Sequence, residues 1–149
     1  MIIKADFRED NIHSDSLFIA NFIWLSFVYL LLGSLLLYAI VMLSLKVSYG
    51  AIFLLWFFGF VTNIIFGLSY MFVPGLMHSK YAAYDTIRAE FYVFNTGIII
   101  FFISNILKYA IAEQLGLALI IIAIFINTIN VLNMTLYQKR NKNKKSESN

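Results

Sequence analysis

Residues 47–79, VSYGAIFLLWFFGFVTNIIFGLSYMFVPGLMHS, contain no Asp, Glu, Lys or Arg. That run is too long for a buried helix of a small soluble domain. Three further uncharged runs accompany it, at 17–45, 91–107 and 114–138. A helix needs roughly 20 apolar residues to cross a bilayer, and each run is close to that length or beyond it. The expected fold class is all-α, an integral membrane four-helix bundle.

Composition supports the same class. Of 149 residues, 61% are hydrophobic and 13% charged, about half the usual charged share. A soluble fold of this size leaves too much surface in water to hide so much apolar area. The lipid bilayer is therefore the expected solvent. With no cysteine, disulfides, thiolate metal sites and a cysteine nucleophile are excluded. The net charge of +3 traces to a tail bearing Lys139, Arg140, Lys142, Lys144 and Lys145. Anionic lipid headgroups suit such a tail. No motif that reads RNA or DNA is present, so nucleic acid is not an expected partner.

The first sixteen residues, MIIKADFREDNIHSDS, are polar and of mixed charge. They lack the pattern of a cleaved signal peptide. The chain divides into an N-terminal segment 1–16, a transmembrane domain 17–138 and a basic, disordered tail 139–149. Spans are expected at about 17–45, 49–73, 86–108 and 114–137. Pro74-Gly75 should end the second, because a residue before proline avoids the helical region. A kink near the end of a continuing helix is the alternative. Asp85 can cap the third span, and Asp85 and Glu90 suit the positive end of its dipole.

Loop charge gives the orientation. Four spans place both termini and loop 78–90 on one side. That side carries Lys4, Arg8, Lys80, Arg88 and the five tail cations, whereas the other carries Lys46 and Lys108. The positive-inside rule then puts both termini in the cytoplasm of a cell-membrane protein.

Each span bears a small or polar face. Trp56, Gly59, Asn63, Gly67, Tyr70 and Pro74 fall within an arc of about 80°. Ser26, Tyr29, Gly33 and Ser44 share a face, with Asn21 to one side. Gly116, Ala123, Asn127, Asn130, Met134 and Tyr137 share another. The third span has two faces: Arg88, Tyr92 and Asn95 on one, and Glu90, Gly97, Ser104 and Lys108 on the other. Small residues let helices approach closely and amides bond across the interface, so these faces read as helix contacts. A second reading rests on depth. Asn21, Asn63, Asn95, Asn127 and Asn130 lie toward the cytoplasmic ends, while Asn105 lies in the outer half. With Tyr70, the first five can line a polar pocket for a haem propionate, a quinone carbonyl or a small polar ligand.

Catalytic and metal motifs are missing. There is no P-loop, HExxH or GxSxG. His13 and His78 fall at the cytoplasmic surface without metal-site spacing, although they can meet at the mouth of the bundle as haem or copper ligands. Span interiors hold no Asp, Glu, Lys or Arg, and Asp85, Arg88 and Glu90 read as a solvated helix start. That reading counts against a pump or a coupled transporter.

Gly59-Phe60-Val61-Thr62, Gly67, Tyr70 and Val73-Pro74 resemble a helix of small haem–copper oxidase subunit I-like proteins and of NnrS-type membrane proteins. Arg88-Ala89-Glu90-Phe91-Tyr92-Val93-Phe94-Asn95-Thr96-Gly97 resembles the next helix of that group. The resemblance covers about 50–107. It implies a four-helix scaffold and a respiratory or nitric-oxide-related membrane. Such relatives often carry histidines before the Gly-Phe pair and just after the tyrosine. Here those places read Ala51-Ile52-Phe53-Leu54-Leu55 and Met71, so Met71 stands where a ligand is expected. Candidate cofactor residues are thus His78, His13 and Met71, with haem the candidate cofactor. The leading expectation is a non-catalytic accessory or structural subunit that binds other membrane proteins. A haem- or quinone-binding redox protein is the alternative. A third is a small-solute permeation or sensing protein acting as a homo-oligomer.

Overall fold

A computed structural model describes residues 9–43, 49–77 and 84–146. Helix α1 runs Glu9–Leu43. The second span is composite: α2 at Tyr49–Leu54, a π-helical segment at Leu55–Thr62, and α3 at Asn63–Met77. Helix α4 covers Tyr84–Leu107 and α5 covers Ala110–Ser146. No strand occurs among the described residues. Four segments are long and apolar enough to cross a membrane: Phe18–Leu43, Tyr49–Pro74, Asp85–Leu107 and Ala110–Leu136. The chain is a multi-pass membrane protein built as an all-α four-helix bundle.

Three boundaries differ from expectation. Pro74 does not end its helix, which continues to Met77. Proline removes a single backbone donor there, and transmembrane helices tolerate that loss. The last helix begins at Ala110, because Glu113 sits in its first turn and suits the positive end of the dipole. It also continues through Ser146, so the tail expected to be disordered from 139 is helical to that residue. Gln, Lys and Arg are strong helix formers and extend a helix once it is nucleated.

Between α4 and α5 the turn is short. Lys108 takes a left-handed backbone conformation with φ 56°. The Tyr109 N–H bonds the Ser104 carbonyl at 3.0 Å, which closes α4 as a Schellman motif does. The chain then reverses at once and α5 packs along α4.

That antiparallel pair approaches closely at two glycines. A Cβ on Gly116 would stand 2.6 Å from the Phe101 backbone nitrogen. One on Gly97 would stand 3.0 Å from the Gly116 carbonyl oxygen. Helix α1 packs against the second span, where Gly59 accepts the Tyr29 ring. Helix α3 touches α5.

Phe18, Pro74, Asp85 and Leu136 define one end of the bundle, here called the polar end. Rings seal α1 against α4 there: Phe22 and Phe91 lie 4.8 Å apart, and Phe18 and Phe91 5.4 Å. Toward the other end α1 and α4 diverge. They leave an apolar seam of about 240 Å³, walled by Tyr29, Leu36, Ile98 and Phe102 and floored by Leu55.

The outer surface inverts the soluble pattern. Trp24, Leu31, Leu35, Phe53 and Phe125 are all exposed, whereas Ser26, Asn63, Glu90, Asn95, Ser104, Asn127 and Asn130 are buried. Apolar side chains face lipid and polar ones face each other.

Gly116→Ala should lower stability by about 2 kcal/mol, because the added methyl meets backbone that cannot swing aside. Gly67→Ala should cost less, since its methyl would meet the Ile23 and Phe22 side chains at 3.0 Å and beyond. Unfolding of both variants in mixed micelles checks the order.

A buried carboxyl cluster as candidate functional site

Glu90 is fully buried on α4. It lies within the span Asp85–Leu107. This overturns the expectation that span interiors lack ionisable groups and that Glu90 belongs to a solvated helix start. The reason lies in the helix face. Glu90 shares its side of α4 with Gly97, and at Gly97 α5 comes close. A residue seven positions from that contact also faces the bundle.

Three neutral side chains from two other helices meet the carboxyl. Tyr70 on α3 donates its hydroxyl to Glu90 Oε2. Asn127 on α5 donates Nδ2 to Glu90 Oε1 at 3.0 Å. Asn130 donates Nδ2 to the Tyr70 hydroxyl oxygen at 2.9 Å and to Glu90 Oε2 at 3.4 Å. Asn127 and Asn130 are three residues apart, so one face of α5 presents both. Phe22 packs near Tyr70 with centroids 6.1 Å apart, and Phe66 sits 4.9 Å from Phe94. These rings close the surroundings with apolar groups.

A second polar contact lies deeper. Asn63 at the start of α3 donates Nδ2 to the Gly59 carbonyl at 2.8 Å and to Asn95 Oδ1 at 3.2 Å. Asn95 in turn donates to the Phe91 carbonyl at 2.8 Å. Glu90 and Asn95 are five residues apart on α4, about 7.5 Å along its axis. The π-helical segment ends just before Asn63. Its Thr62 hydroxyl donates to the carbonyl five residues back, that of Phe57, at 3.1 Å. Asn63 Oδ1 and Trp56 Nε1 have no protein partner.

Of the candidate pocket residues, Tyr70, Asn127 and Asn130 come together around Glu90. Asn63 and Asn95 form the deeper pair. Gly59 and Gly67 are buried contact points for α1, against Tyr29 and against Ile23 with Phe22. Asn21 is exposed and stands outside both groups. Met71 is 50% exposed and does not share Tyr70's inward face. The His13 side chain and the whole of His78 lie outside the described residues.

Chemically, Asn63, Asn95, Asn127 and Asn130 are bonded to protein groups. Two clefts among the described residues, about 240 and 260 Å³, have other linings. One is the seam; the other lies on α1 beside Ala20, Ile23, Trp24 and Phe27. The stripes thus act as interhelical hydrogen bonding, with one carboxyl at the node. No family model, curated protein or solved structure matches the chain.

Replacing Glu90 by Leu strands the Tyr70 hydroxyl proton and the Asn127 amide, while Asn130 keeps the Tyr70 oxygen, and should cost about 3 kcal/mol. Glu90→Gln retains an acceptor and should cost less. A double-mutant cycle of Glu90→Gln with Tyr70→Phe should show coupling of about 1 kcal/mol. Denaturation in lipid–detergent micelles measures all three.

Proposed function

We propose that this chain is a non-catalytic accessory subunit, seated in the cell membrane with both termini cytoplasmic, that works by lateral association with other membrane proteins. The observation that carries this reading is the open seam between α1 and α4. Sealed at the polar end by Phe18, Phe22 and Phe91, the two helices part toward the other end and leave Tyr29, Leu36, Leu55, Ile98 and Phe102 around an unfilled apolar groove. Closely packed transmembrane helices gain dispersion contacts that loosely fitting lipid chains supply poorly. A helix from a partner subunit fits such a groove.

The proposed setting is a respiratory membrane complex. Support comes from the resemblance of 50–107 to haem–copper oxidase subunit I-like helices. A scaffold of that type without its intramembrane histidines suits an accessory role. The spans 18–43, 49–74, 85–107 and 110–136 contain no histidine, and Met71 is turned outward. These side chains do not fit a haem iron held inside the bundle. Solute permeation through one bundle is also disfavoured, because Phe66, Phe94, Ile98 and Ile120 are packed in its interior.

The orientation follows from nine cations against two. The basic tail then lies against anionic headgroups of the inner leaflet.

A cysteine-free chain makes the tests direct. A photo-crosslinker attached at Leu32→Cys or Ile99→Cys, on the two walls of the seam, should capture a partner in native membranes. The same probe at Phe125→Cys should capture far less. Equal capture at all three sites, or a clean monomer after gentle purification, would overturn the subunit reading. So would a Soret band at near-stoichiometric haem. For orientation, Ser146→Cys in intact cells should resist an impermeant thiol reagent; labelling from outside would reverse the topology.

A further inference from the structure

We infer that Glu90, with Tyr70, Asn127 and Asn130, forms a proton-binding site inside the membrane, whose carboxyl holds its proton at neutral pH and exchanges it with water at the polar end. The ligand is the proton itself. This goes beyond the accessory reading and does not depend on any partner.

From α3 the group facing Glu90 is Tyr70, and from α5 the groups are Asn127 and Asn130. Phe22 of α1 packs near Tyr70. All four are neutral at neutral pH. The guanidinium of Arg88, an exposed residue two positions earlier on α4, stands 5.7 Å over the Phe18 ring. Burying a charged carboxylate is costly even where neutral donors meet it, and none of these four groups carries a compensating charge.

A buried acid that can only be neutral is inert, but this cluster suits both forms. In the ionised form both oxygens accept, as the observed bonds allow: Tyr70 and Asn130 serve Oε2 and Asn127 serves Oε1. In the acid form the proton resides on Oε1 and needs an acceptor. Rotation of the Asn127 amide by half a turn supplies its oxygen at the place its nitrogen held. Tyr70 and Asn130 continue to donate to Oε2. One amide rotation thus accompanies transfer of one proton from Glu90 to water.

Glu90 lies about 7.5 Å along α4 from Asp85, and Tyr70 about 6 Å along α3 from Pro74. Both are one to two turns from the polar end. In the other direction the Asn63–Asn95 pair comes next, with Phe94 and Ile98 packed around and beyond it. Exchange is therefore one-sided, which suits a site that senses protons and not one that conducts them across.

Infrared spectroscopy of the full chain in lipid vesicles tests this. At neutral pH the protein should show the carbonyl stretch of a protonated carboxylic acid, shifting when water is replaced by D2O. Glu90→Gln should abolish that band. Should Glu90→Gln fail to fold, Tyr70→Phe provides the second reading. Loss of the hydroxyl bond to Oε2 should move the band to higher frequency. The inference is overturned if no acid band appears at neutral pH, if both variants leave the band unchanged, or if D2O does not shift it after prolonged exchange. None of these outcomes bears on partner capture at the seam, so the two readings fail separately.

Discussion

Helices in lipid gain nothing by hiding apolar surface from one another, since hydrocarbon surrounds them already. What holds this bundle is therefore close approach and polar bonding. Both follow a consistent geometry. Close approach is concentrated between α4 and α5, where Gly97 and Gly116 let backbones meet and the short turn at Lys108 leaves little alternative to antiparallel packing. Polar bonding is concentrated nearer the polar end, where Glu90 collects donors from α3 and α5. The tie at Glu90 joins the α4–α5 pair to the second span, and the second span carries α1. Without it, the two helix pairs would be joined by the Asn63–Asn95 bond and by apolar side chains.

This division explains why the bundle is sealed at one end and open at the other. Around the carboxyl cluster the side chains are large and interlocked, with Phe22, Phe66, Phe91 and Phe94 in ring contact. Farther along, no side-chain hydrogen bond joins α1 to α4 among the described residues, and the seam at Tyr29 and Phe102 opens. The π-helical segment adds to the offset. Its wider turn lies where Gly59 meets the Tyr29 ring, and such segments often mark places where a helix must re-aim its side chains.

Much of this was legible in the sequence. Four uncharged runs mark the spans because no other solvent than lipid accepts them. The inward faces follow from periodicity alone: Gly59, Asn63, Gly67 and Tyr70 on one span and Gly116, Ala123, Asn127 and Asn130 on another are all buried. Glu90 was not legible as a core group. It stands just before an uncharged run, where a carboxylate normally belongs to a solvated first turn. Its true surroundings come from partners 20, 37 and 40 residues away, which no local pattern reveals. The available signal was weaker: Glu90 repeats at seven-residue spacing with Gly97 and Ser104, and that face is inward. Asn21 fails in the opposite sense. Its amide suggests an interior role, yet its position on α1 leaves it exposed.

A carboxyl that ties helices together has a consequence for any assembly the seam makes. The acid form donates and accepts within the cluster, so α3, α4 and α5 are bonded without net charge in the interior. Loss of the proton leaves a charge that only neutral donors stabilise, in a medium that screens it poorly. Tyr70 and Asn130 on Oε2 and Asn127 on Oε1 then share that load, and all three bonds become charge-assisted and stronger. Loss of the proton therefore tightens the tie from Glu90 to α3 and to α5 alike. The helix is continuous from Tyr70 back to Leu55, so the carboxyl cluster and the floor of the seam lie on one composite helix.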